Sequence, residues 1–383
     1  MEVLKSIGRL FINPLLYITI IFIILIGYRR VINERKSFKI RIHWGFSEAL
    51  MLLKEGWPWA IIVSVISVVI GVVLPMEYIV LVTLFSIICV ITFYYHFASV
   101  VYPFACAFLM LWWVYTQDAS FTFWHWTVDA ETMHLKLLAS IPILIGILLV
   151  VEGNLVARHA AHLASPRLQK SERGLNAVTF LAKRLWILPV FFLIPGDTIT
   201  EIVPIWPIFD LGGESYGLIL FPVVLGFQQR ARKLLPSHFY PQIGRTIILL
   251  GAVVVVEGII SYFVPMLGIA SVIVAITGRA LISIMYSISE RKGKFAVTPQ
   301  NEGVVIAAVL PNSPAEAMGL QIGEIIRKVN GENVHSEDEL YRALQLNAAH
   351  CKIEVLDTDG ELRLRQHVIF HHDHFRIGLL LVH

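Results

Sequence analysis

The chain has 383 residues, of which 56% are hydrophobic and 15% are charged, and its mean hydropathy is +0.71. Soluble globular proteins carry roughly 25% charged residues, so this composition excludes an ordinary soluble protein. The formal net charge of +3 is small and does not indicate nucleic acid as a partner. Apolar runs fill residues 10–289, and the residues after them have a soluble composition. We therefore expect two domains, a polytopic α-helical membrane domain (1–290) and a small α+β domain (295–383).

Five apolar runs are each long enough to cross the roughly 30 Å hydrocarbon core of a bilayer as one helix. In chain order they are Leu10–Tyr28, Trp57–Leu74, Tyr78–Tyr95, Ala98–Thr116 and His134–Glu152. Two longer runs follow, Leu185–Phe227 and Thr246–Ile288, and each has room for two helices. The first carries acids near its middle, which favours a helical hairpin with an acidic outer loop, and a re-entrant segment is the alternative. The total is about nine spans.

Lys and Arg are concentrated in four segments. They are residues 29–41, 158–184, 230–245 and 291–294. An even number of predicted spans separates each segment from the next, so all four can lie on one side of the membrane. The loops between them, 117–133 and 196–214, carry acids but no Lys or Arg. Because short basic loops stay in the cytoplasm, we expect an external N-terminus and a cytoplasmic C-terminal domain. Only Lys5 and Arg9 favour the opposite orientation.

Two charged residues, Glu257 and Arg279, fall inside the last two predicted spans. Carboxylates inside a membrane are costly and are functional candidates by default. We expect a Glu257–Arg279 ion pair that locks these spans together. A proton or ion site at Glu257 and a neutral glutamate that faces other helices are the alternatives. The segment Leu144–Gly153 ("LIGILLVVEG") is echoed by Leu249–Gly258 ("LLGAVVVVEG"), and such echoes can mark a transporter, although Val-rich sequence also produces them by chance.

Catalytic motifs are missing from the sequence. A zinc-dependent intramembrane protease needs the motif H-E-x-x-H, and the nearest segment, "RHAAHL", places His159 and His162 at the wrong spacing. Neither a G-x-S-x-G motif, nor a phosphate loop, nor a dinucleotide fingerprint occurs. We therefore expect a protein that is not an enzyme and needs neither a metal nor a cofactor.

The C-terminal segment contains the start and stop signals of two helices and one tight turn. Ser313, Pro314 and Glu316 form a capping box, and Gly319 ends that helix. A second box, Ser336 with Glu339, opens the helix "EDELYRALQLNAA". Strands are expected before and after these helices. They are "EIIRKV" (Glu324–Val329), followed by the turn Asn330–Gly331, then Cys351–Asp357, "LRLRQHVIF" and "FRIGLLLVH".

The order of these signals from Gly303 to Phe370 resembles that of a bacterial PDZ domain. The resemblance implies a small sheet, two helices, and a groove between one strand and the second helix that accepts a peptide as an added strand. The loop that precedes the groove strand in the family has little room between Lys294 and Gly303. We expect the last strand to replace it in a circularly permuted domain, and an ordinary closing strand is the alternative. The expected peptide-binding residues are Arg376, Ile377, Gly378, Leu379, Tyr341, Leu344 and Gln345.

A second resemblance covers nearly the whole chain. An N-terminal span with "FINPLLY", the basic run "RRVINERKSFKIRI" and the C-terminal stretch "EGVVIAAVLPNSPAEAMGLQIGEIIRKVNG" resemble the MinJ family of division-site topology proteins of Gram-positive rods. This resemblance implies a non-enzymatic bridge at septum and poles, which links DivIVA-like proteins to the MinD-like ATPase that acts with MinC. The alternatives are a PDZ-bearing membrane protease or protease regulator, and a transporter that uses Glu257.

Overall fold

The computed structural model describes residues 10–123, 126–128, 136–171, 174–196, 208–211, 214–346, 350–368 and 377–382. Within these ranges, seven long helices precede the C-terminal domain: α1 (Pro14–Phe38), α2 (Ser47–Ile70), α3 (Met76–Ile91), α4 (Val101–Gln117), α5 (Leu137–His159), α6 (Pro236–Ile260) and α7 (Met266–Arg291). Five of them, α1, α2, α5, α6 and α7, are long and apolar enough to cross a membrane, as judged by length and composition.

Capping interactions explain where α1 begins and where α2 ends. Asn13 caps α1, because its side-chain oxygen accepts a hydrogen bond from the Leu15 N–H at 3.0 Å, and Pro14 suits the first helical position. Gly71 ends α2 with a positive φ of 72°. A turn that contains Pro265 separates α6 from α7. Each of the five shorter apolar runs overlaps a helix, and Thr246–Ile288 overlaps two, but α3 and α4 are not among the helices long enough to cross a membrane.

The described parts of Leu185–Phe227 (185–196, 208–211 and 214–227) lie almost entirely in β-strands, so the prediction of two helical spans there is wrong, and the count of about nine spans is not confirmed. Most of these residues belong to a long antiparallel ribbon of β4 (Asn176–Pro195) and β6 (Glu214–Ala231). β3 (Ser165–Lys170) and β5 (Ile208–Leu211) pair along parts of its two edges, and β1 (Phe121–Phe123) and β2 (Trp126–Val128) form a separate small hairpin. Because β4 and β6 are antiparallel, the chain enters and leaves the ribbon at the same end.

Two prolines fit the ribbon, although Pro58, Pro142 and Pro241 lie inside helices and show that proline alone does not exclude a helix in this chain. Pro189 and Pro222 lie opposite each other in the ladder between β4 and β6. In a helix interior each proline removes a hydrogen bond and clashes with the preceding turn. Along most of the ribbon each strand has only one neighbour, so a proline can sit with its missing N–H on the free edge.

The free edges of the ribbon are hydrogen-bonded to the surrounding helices. The N–H of Phe191 donates to the Ser64 hydroxyl of α2 at 3.0 Å, and the N–H of Leu74 donates to the Leu193 carbonyl at 2.8 Å. On α6, the Tyr240 hydroxyl accepts from the Ala182 N–H at 3.0 Å. These hydrogen bonds satisfy backbone groups at the ribbon edges that have no strand partner in the described chain.

The two echoed segments belong to helices α5 and α6, which pack closely against each other. A Cβ atom placed on Gly153 would lie 2.6 Å from the Gly244 carbonyl oxygen, and one on Gly251 would lie 2.8 Å from the Gly146 carbonyl oxygen. Small residues let helix backbones approach closely in a membrane. The repeated glycines of the echo therefore serve helix packing.

The C-terminal domain is a sheet with two helices. Its elements are β7 (Val304–Val309), α8 (Pro314–Ala317), β8 (Ile325–Val329), β9 (Glu332–Asn333), α9 (Glu337–Gln345), β10 (His350–Leu356), β11 (Leu362–Val368) and β12 (Leu379–Val382). The strands lie in the order β11-β10-β8-β7-β12, and β9 pairs with β8. The predicted helices and strands of this domain are confirmed, with ends that differ by a few residues.

Both predicted capping boxes are present. The Ser313 hydroxyl accepts from the Glu316 N–H at 3.3 Å, and the Ser336 hydroxyl accepts from the Glu339 N–H at 3.2 Å. The turn after β8 has positive φ at both Asn330 (52°) and Gly331 (94°), as a tight Asn-Gly turn requires. The Asn330 side chain also donates to a carbonyl of α9 and accepts from an N–H of β10, so this turn joins three elements.

Backbone and side-chain contacts bring basic segments of the chain to one end of the helix bundle. Val178 of β4 forms a β-bridge with Val297, in the connection that leads to the C-terminal domain. A carboxylate oxygen of Glu290, near the end of α7, accepts from the N–H groups of Arg232 at 2.6 Å and Lys233 at 2.7 Å. α1 packs on β3 at the same end. The C-terminal domain therefore lies on the side where the basic segments meet.

Candidate peptide-binding groove

Strand β12 forms one edge of the C-terminal sheet. It pairs antiparallel with β7 from Leu379, opposite Val309, to Val382, opposite Val305. In the described part of the chain no strand pairs with its other side. β12 is therefore an edge strand of this sheet, and all four of its residues are buried.

The start of β12 is fixed by close contacts with the loop before α8. The Gly378 and Ile377 carbonyl oxygens accept from the N–H groups of Leu310 at 2.8 Å and Ala315 at 3.0 Å. Gly378 has φ of 90°, and a Cβ atom there would lie 2.2 Å from the Cβ of Ser313. Only glycine fits this position, because both the backbone conformation and the available space exclude a side chain.

Side chains of β12 alternate between two apolar cores. Leu379 and Leu381 belong to the core of the C-terminal domain, together with Ile377 and the α9 residues Leu340 and Ala343. The intervening side chains contribute to the larger core that includes the helix bundle. They are Leu380 and Val382. One face of this edge strand therefore packs toward α9 and the other packs toward the membrane domain.

Most of the predicted groove residues are brought together. Ile377 and Leu379 are buried, and Tyr341 and Leu344 of α9 are half-buried against the same apolar cluster. Gln345 is exposed at the end of α9. Arg376, also predicted to bind peptide, lies outside the described residues. The helical spacing of Leu340, Ala343 and Leu344 predicted the apolar stripe of α9 that joins this cluster, whereas Leu381 was missed, although the alternation in "GLLLV" was an available signal.

Two titratable groups of the domain are buried and serve its structure. Burial raises the pKa of the Cys351 thiol to about 12, so this cysteine is a protonated, unreactive side chain at neutral pH. Burial also raises the pKa of the Glu324 carboxyl, which accepts a hydrogen bond from the Gln321 N–H at 2.9 Å. In the part of the chain that the structure describes, no group of three or more His, Cys, Asp or Glu residues could hold a metal ion.

The predicted ion pair between Glu257 and Arg279 does not form. Arg279 instead binds Glu152 of α5, with 2.9 Å between its Nη2 and the Oε1 of Glu152. The hydroxyl of Ser99 donates to the other carboxylate oxygen of Glu152 at 2.6 Å. Glu257 is half-buried, and one of its carboxylate oxygens is buried without a hydrogen-bond partner in the described part of the chain. The prediction was wrong because it paired residues within one helical hairpin, whereas α5 packs against both α6 and α7.

Comparison with known proteins identifies the domain and the chain. Residues 305–356 match the family model of the PDZ domain. The chain is 30% identical over 381 residues to a Bacillus subtilis (strain 168) protein, Cell division topological determinant MinJ, and the match covers 100% of this chain and 95% of that protein. A Lacticaseibacillus paracasei protein, Probable cell division topological determinant MinJ, is 25% identical over 253 residues, which cover 63% of this chain and 65% of that protein.

A shorter match involves a protein with a different name. Over 53 residues the chain is 40% identical to Magnetosome formation protease MamE of Magnetospirillum gryphiswaldense, which covers 14% of this chain and 7% of that protein. So short a match has the size of one small domain and says nothing of the rest of either chain. The full-length similarity and the PDZ match together show that this chain belongs to the MinJ family of cell division topological determinants.

Proposed function

We propose that this chain is a non-enzymatic membrane scaffold for division-site selection, which bridges DivIVA-like and MinD-like proteins at septum and poles. Membership of the MinJ family and the PDZ domain support this role. In this proposal residues 1–290 hold the protein in the membrane, and residues 295–383 capture a partner. The observation that carries the proposal is the edge strand β12, which has no strand on its outer side in the described chain and lies beside the half-buried side chains of α9.

The PDZ domain is proposed to be circularly permuted. In the family the groove strand comes early and is followed by the strand that corresponds here to β7. In this chain the strand that pairs with the outer side of β7 is β12, which comes last in the sequence. The Gly378 backbone at its start has the positive φ that a tight loop before the groove strand requires.

The proposed partner segment is an extended peptide that adds to β12. Backbone hydrogen bonds along the strand would supply affinity, and the Tyr341 and Leu344 side chains would select an apolar residue. Gln345 is exposed at the end of α9, where it can contact the same peptide. The groove is proposed to face the cytoplasm, because the domain lies on the side of the basic segments.

The test is fluorescence imaging of the full chain and a MinD-like protein in dividing cells. Leu344→Glu places a charge in the half-buried groove, and we expect the scaffold to reach the septum while the MinD-like protein spreads along the membrane. Leu346→Glu is the matched control, because Leu346 lies two residues later and is 69% exposed. Uniform membrane staining of the intact protein would contradict the division-site role.

Removal of residues 295–383 separates the tasks of the two domains. If the truncated protein still reaches the septum but no longer recruits the MinD-like protein, the membrane domain targets and the PDZ domain recruits. If the truncated protein recruits as well as the full chain does, the groove is not the recruiting site, and that part of the proposal fails.

A further inference from the structure

One face of the ribbon carries three cations near the end where β4 begins and β6 ends. Arg167 of β3 lies opposite Thr179, and Arg230 of β6 lies opposite Leu181. Residues that face each other across a ladder share a side of the sheet, and so do alternate residues along a strand. Lys183 is two residues beyond Leu181, so Arg167, Arg230 and Lys183 all point to the same side of the sheet. Arg167 and Lys183 are half-buried, and Arg230 is exposed.

A fourth cation and two aromatic rings complete this cluster. Arg29 of α1 lies over the Phe93 ring, with 4.0 Å from its guanidinium carbon to the ring centroid. The Lys183 ammonium lies 4.7 Å from the centroid of the Tyr95 ring. The Tyr95 N–H donates to the Gln228 side chain of β6 at 3.3 Å, which holds the connection between α3 and α4 over this face. The cations of four separate elements therefore converge on one place.

These four cations lack an anionic partner within the described ranges. No ion pair there joins Arg29, Arg167, Lys183 or Arg230 to a carboxylate. Arg29 and Arg167 are both near enough to Lys183 to repel its charge, and Arg230 acts in the same way on Arg167. By contrast, Arg184, the next residue of β4, points to the other side of the sheet and binds Glu55.

Two buried polar atoms in the same cluster also lack hydrogen-bond partners among the residues that the structure describes. The Tyr95 side chain is fully buried, and its hydroxyl makes no hydrogen bond in the structure. The Nε of Arg167 is likewise buried without a partner. Partly buried like charges repel one another, and buried polar groups are usually satisfied by protein, water or an ion. The cluster therefore has the composition of an anion site.

The neighbouring surface shows which anion fits. On α1, Ile21, Leu25 and Arg29 follow one another at four-residue intervals, so they line one face of the helix. Ile21 is 55% exposed and Leu25 is 38% exposed. On α3, Ile91 is also exposed close to Phe93. A cationic cluster at the end of an exposed apolar strip matches a molecule with an anionic head and a hydrocarbon tail.

We propose that Arg29, Arg167, Lys183 and Arg230 bind the phosphate headgroup of an anionic phospholipid. The lipid would lie in the leaflet on the side of the PDZ domain, with its acyl chains along the exposed face of α1. This site would give the protein a preference for anionic membrane in addition to the general attraction of its basic loops.

The experiment is native mass spectrometry of the full chain in detergent, with phosphatidylglycerol or phosphatidylcholine at equal concentrations. We expect phosphatidylglycerol to remain bound and phosphatidylcholine to be lost. The double variant Arg29→Gln/Arg230→Gln removes two exposed cations, so folding is preserved, and we expect phosphatidylglycerol to bind on the order of 25-fold more weakly. Arg245→Gln is the matched control, an exposed cation at the basic end of α6, and should change binding less than about twofold.

A second pair of variants tests the half-buried position. Lys183→Arg keeps the charge and should retain binding, whereas Lys183→Gln should weaken it about fivefold. Equal binding of phosphatidylcholine, or an equal effect of Arg245→Gln and the double variant, would overturn the proposal. Displacement of the lipid by excess inorganic phosphate would overturn it as well, since the site would then recognise a free anion.

Discussion

Arg279 carries its charge into the middle of α7, where it is almost fully buried. It is held there by Glu152, and its Nη1 donates to the Ser283 hydroxyl at 2.5 Å. Removing one member of a buried pair leaves the other charge without compensation. Glu257 has no such partner among the described residues, so the two glutamates of the echoed "VVEG" segments have different roles in the same bundle.

We predict that Arg279→Met lowers the free energy of unfolding by about 3–5 kcal/mol, because Glu152 loses its partner. The measurement is denaturant unfolding of the full chain in detergent. Glu257→Gln is the control and should change stability by less than about 1 kcal/mol, since it removes no ion pair. The double variant Glu152→Gln/Arg279→Met should be more stable than Arg279→Met alone. Equal losses for Arg279→Met and Glu257→Gln would contradict the pairing.

His43, in the connection between α1 and α2, links stability to pH. Burial and the nearby Arg30 lower its pKa from 6.5 to about 4. The folded state therefore keeps this imidazole neutral, and its contribution to stability is complete above pH 6.5 and is lost as the pH falls toward 4. We predict that His43→Gln reduces the drop in melting temperature between pH 7 and pH 5. The exposed His238→Gln should leave that drop unchanged, and an unchanged drop in His43→Gln would refute the assignment.

The β4–β6 ribbon is the element that depends most on distant partners. Ser64 of α2 accepts a hydrogen bond from the Phe191 N–H and donates to the Ala60 carbonyl at 2.6 Å. We predict that Ser64→Ala lowers the free energy of unfolding by about 1–3 kcal/mol, because a buried N–H is left unsatisfied.

Ser67 provides the matched control for Ser64. It lies one helical turn later, and its hydroxyl is buried with no hydrogen-bond partner within the described ranges. Ser67→Ala should therefore be neutral or slightly stabilising in the same unfolding experiment, since it removes an unsatisfied polar atom. Similar losses for both variants would show that the Phe191 N–H does not depend on Ser64.

The sequence predicted the elements whose signals are local and missed those that depend on distant contacts. Each capping box and the Asn330–Gly331 turn spans only a few consecutive residues, so the PDZ helices and strands could be predicted from the sequence. A long apolar run does not separate a buried strand from a helix by periodicity. Pro189 and Pro222 did not separate the two cases, because prolines also lie inside α2, α5 and α6, and the pairing of Pro189 with Pro222 becomes visible only in the fold.

The same distinction holds for the candidate groove. Ile377, Leu379, Tyr341 and Leu344 were expected from the resemblance and lie in or against one cluster. The intramembrane pair was assigned to the wrong carboxylate, because nothing in the order of residues shows that α5 lies beside α7. Sequence patterns identify which polar residues need a partner, and packing decides which partner they find.

At the scale of the whole molecule, two strands of the PDZ domain, β7 and β12, pack on both the PDZ core and the core of the helix bundle. Side chains on one side of β7 and β12 belong to the PDZ core, and side chains on the other side belong to the large core of the membrane domain. The contact is reinforced by Arg232, whose guanidinium lies 4.0 Å from the centroid of the Phe295 ring. The groove is therefore held in a defined position against the membrane domain.

We predict that Leu380→Asp separates the PDZ domain from the bundle without unfolding it. Leu380 faces the membrane-domain core and is 4% exposed, so a carboxylate there stays hydrated only if the contact opens. Protease cleavage in residues 292–302 should then become at least about tenfold faster, because cleavage follows the population of the open form. Leu346→Asp, at an exposed site on the same domain, should leave cleavage unchanged. Amide hydrogen exchange in β8 and β10 checks that the PDZ domain stays folded in Leu380→Asp, and it should remain slow. Fast exchange there would show that Leu380 stabilises the PDZ core itself and would contradict the prediction.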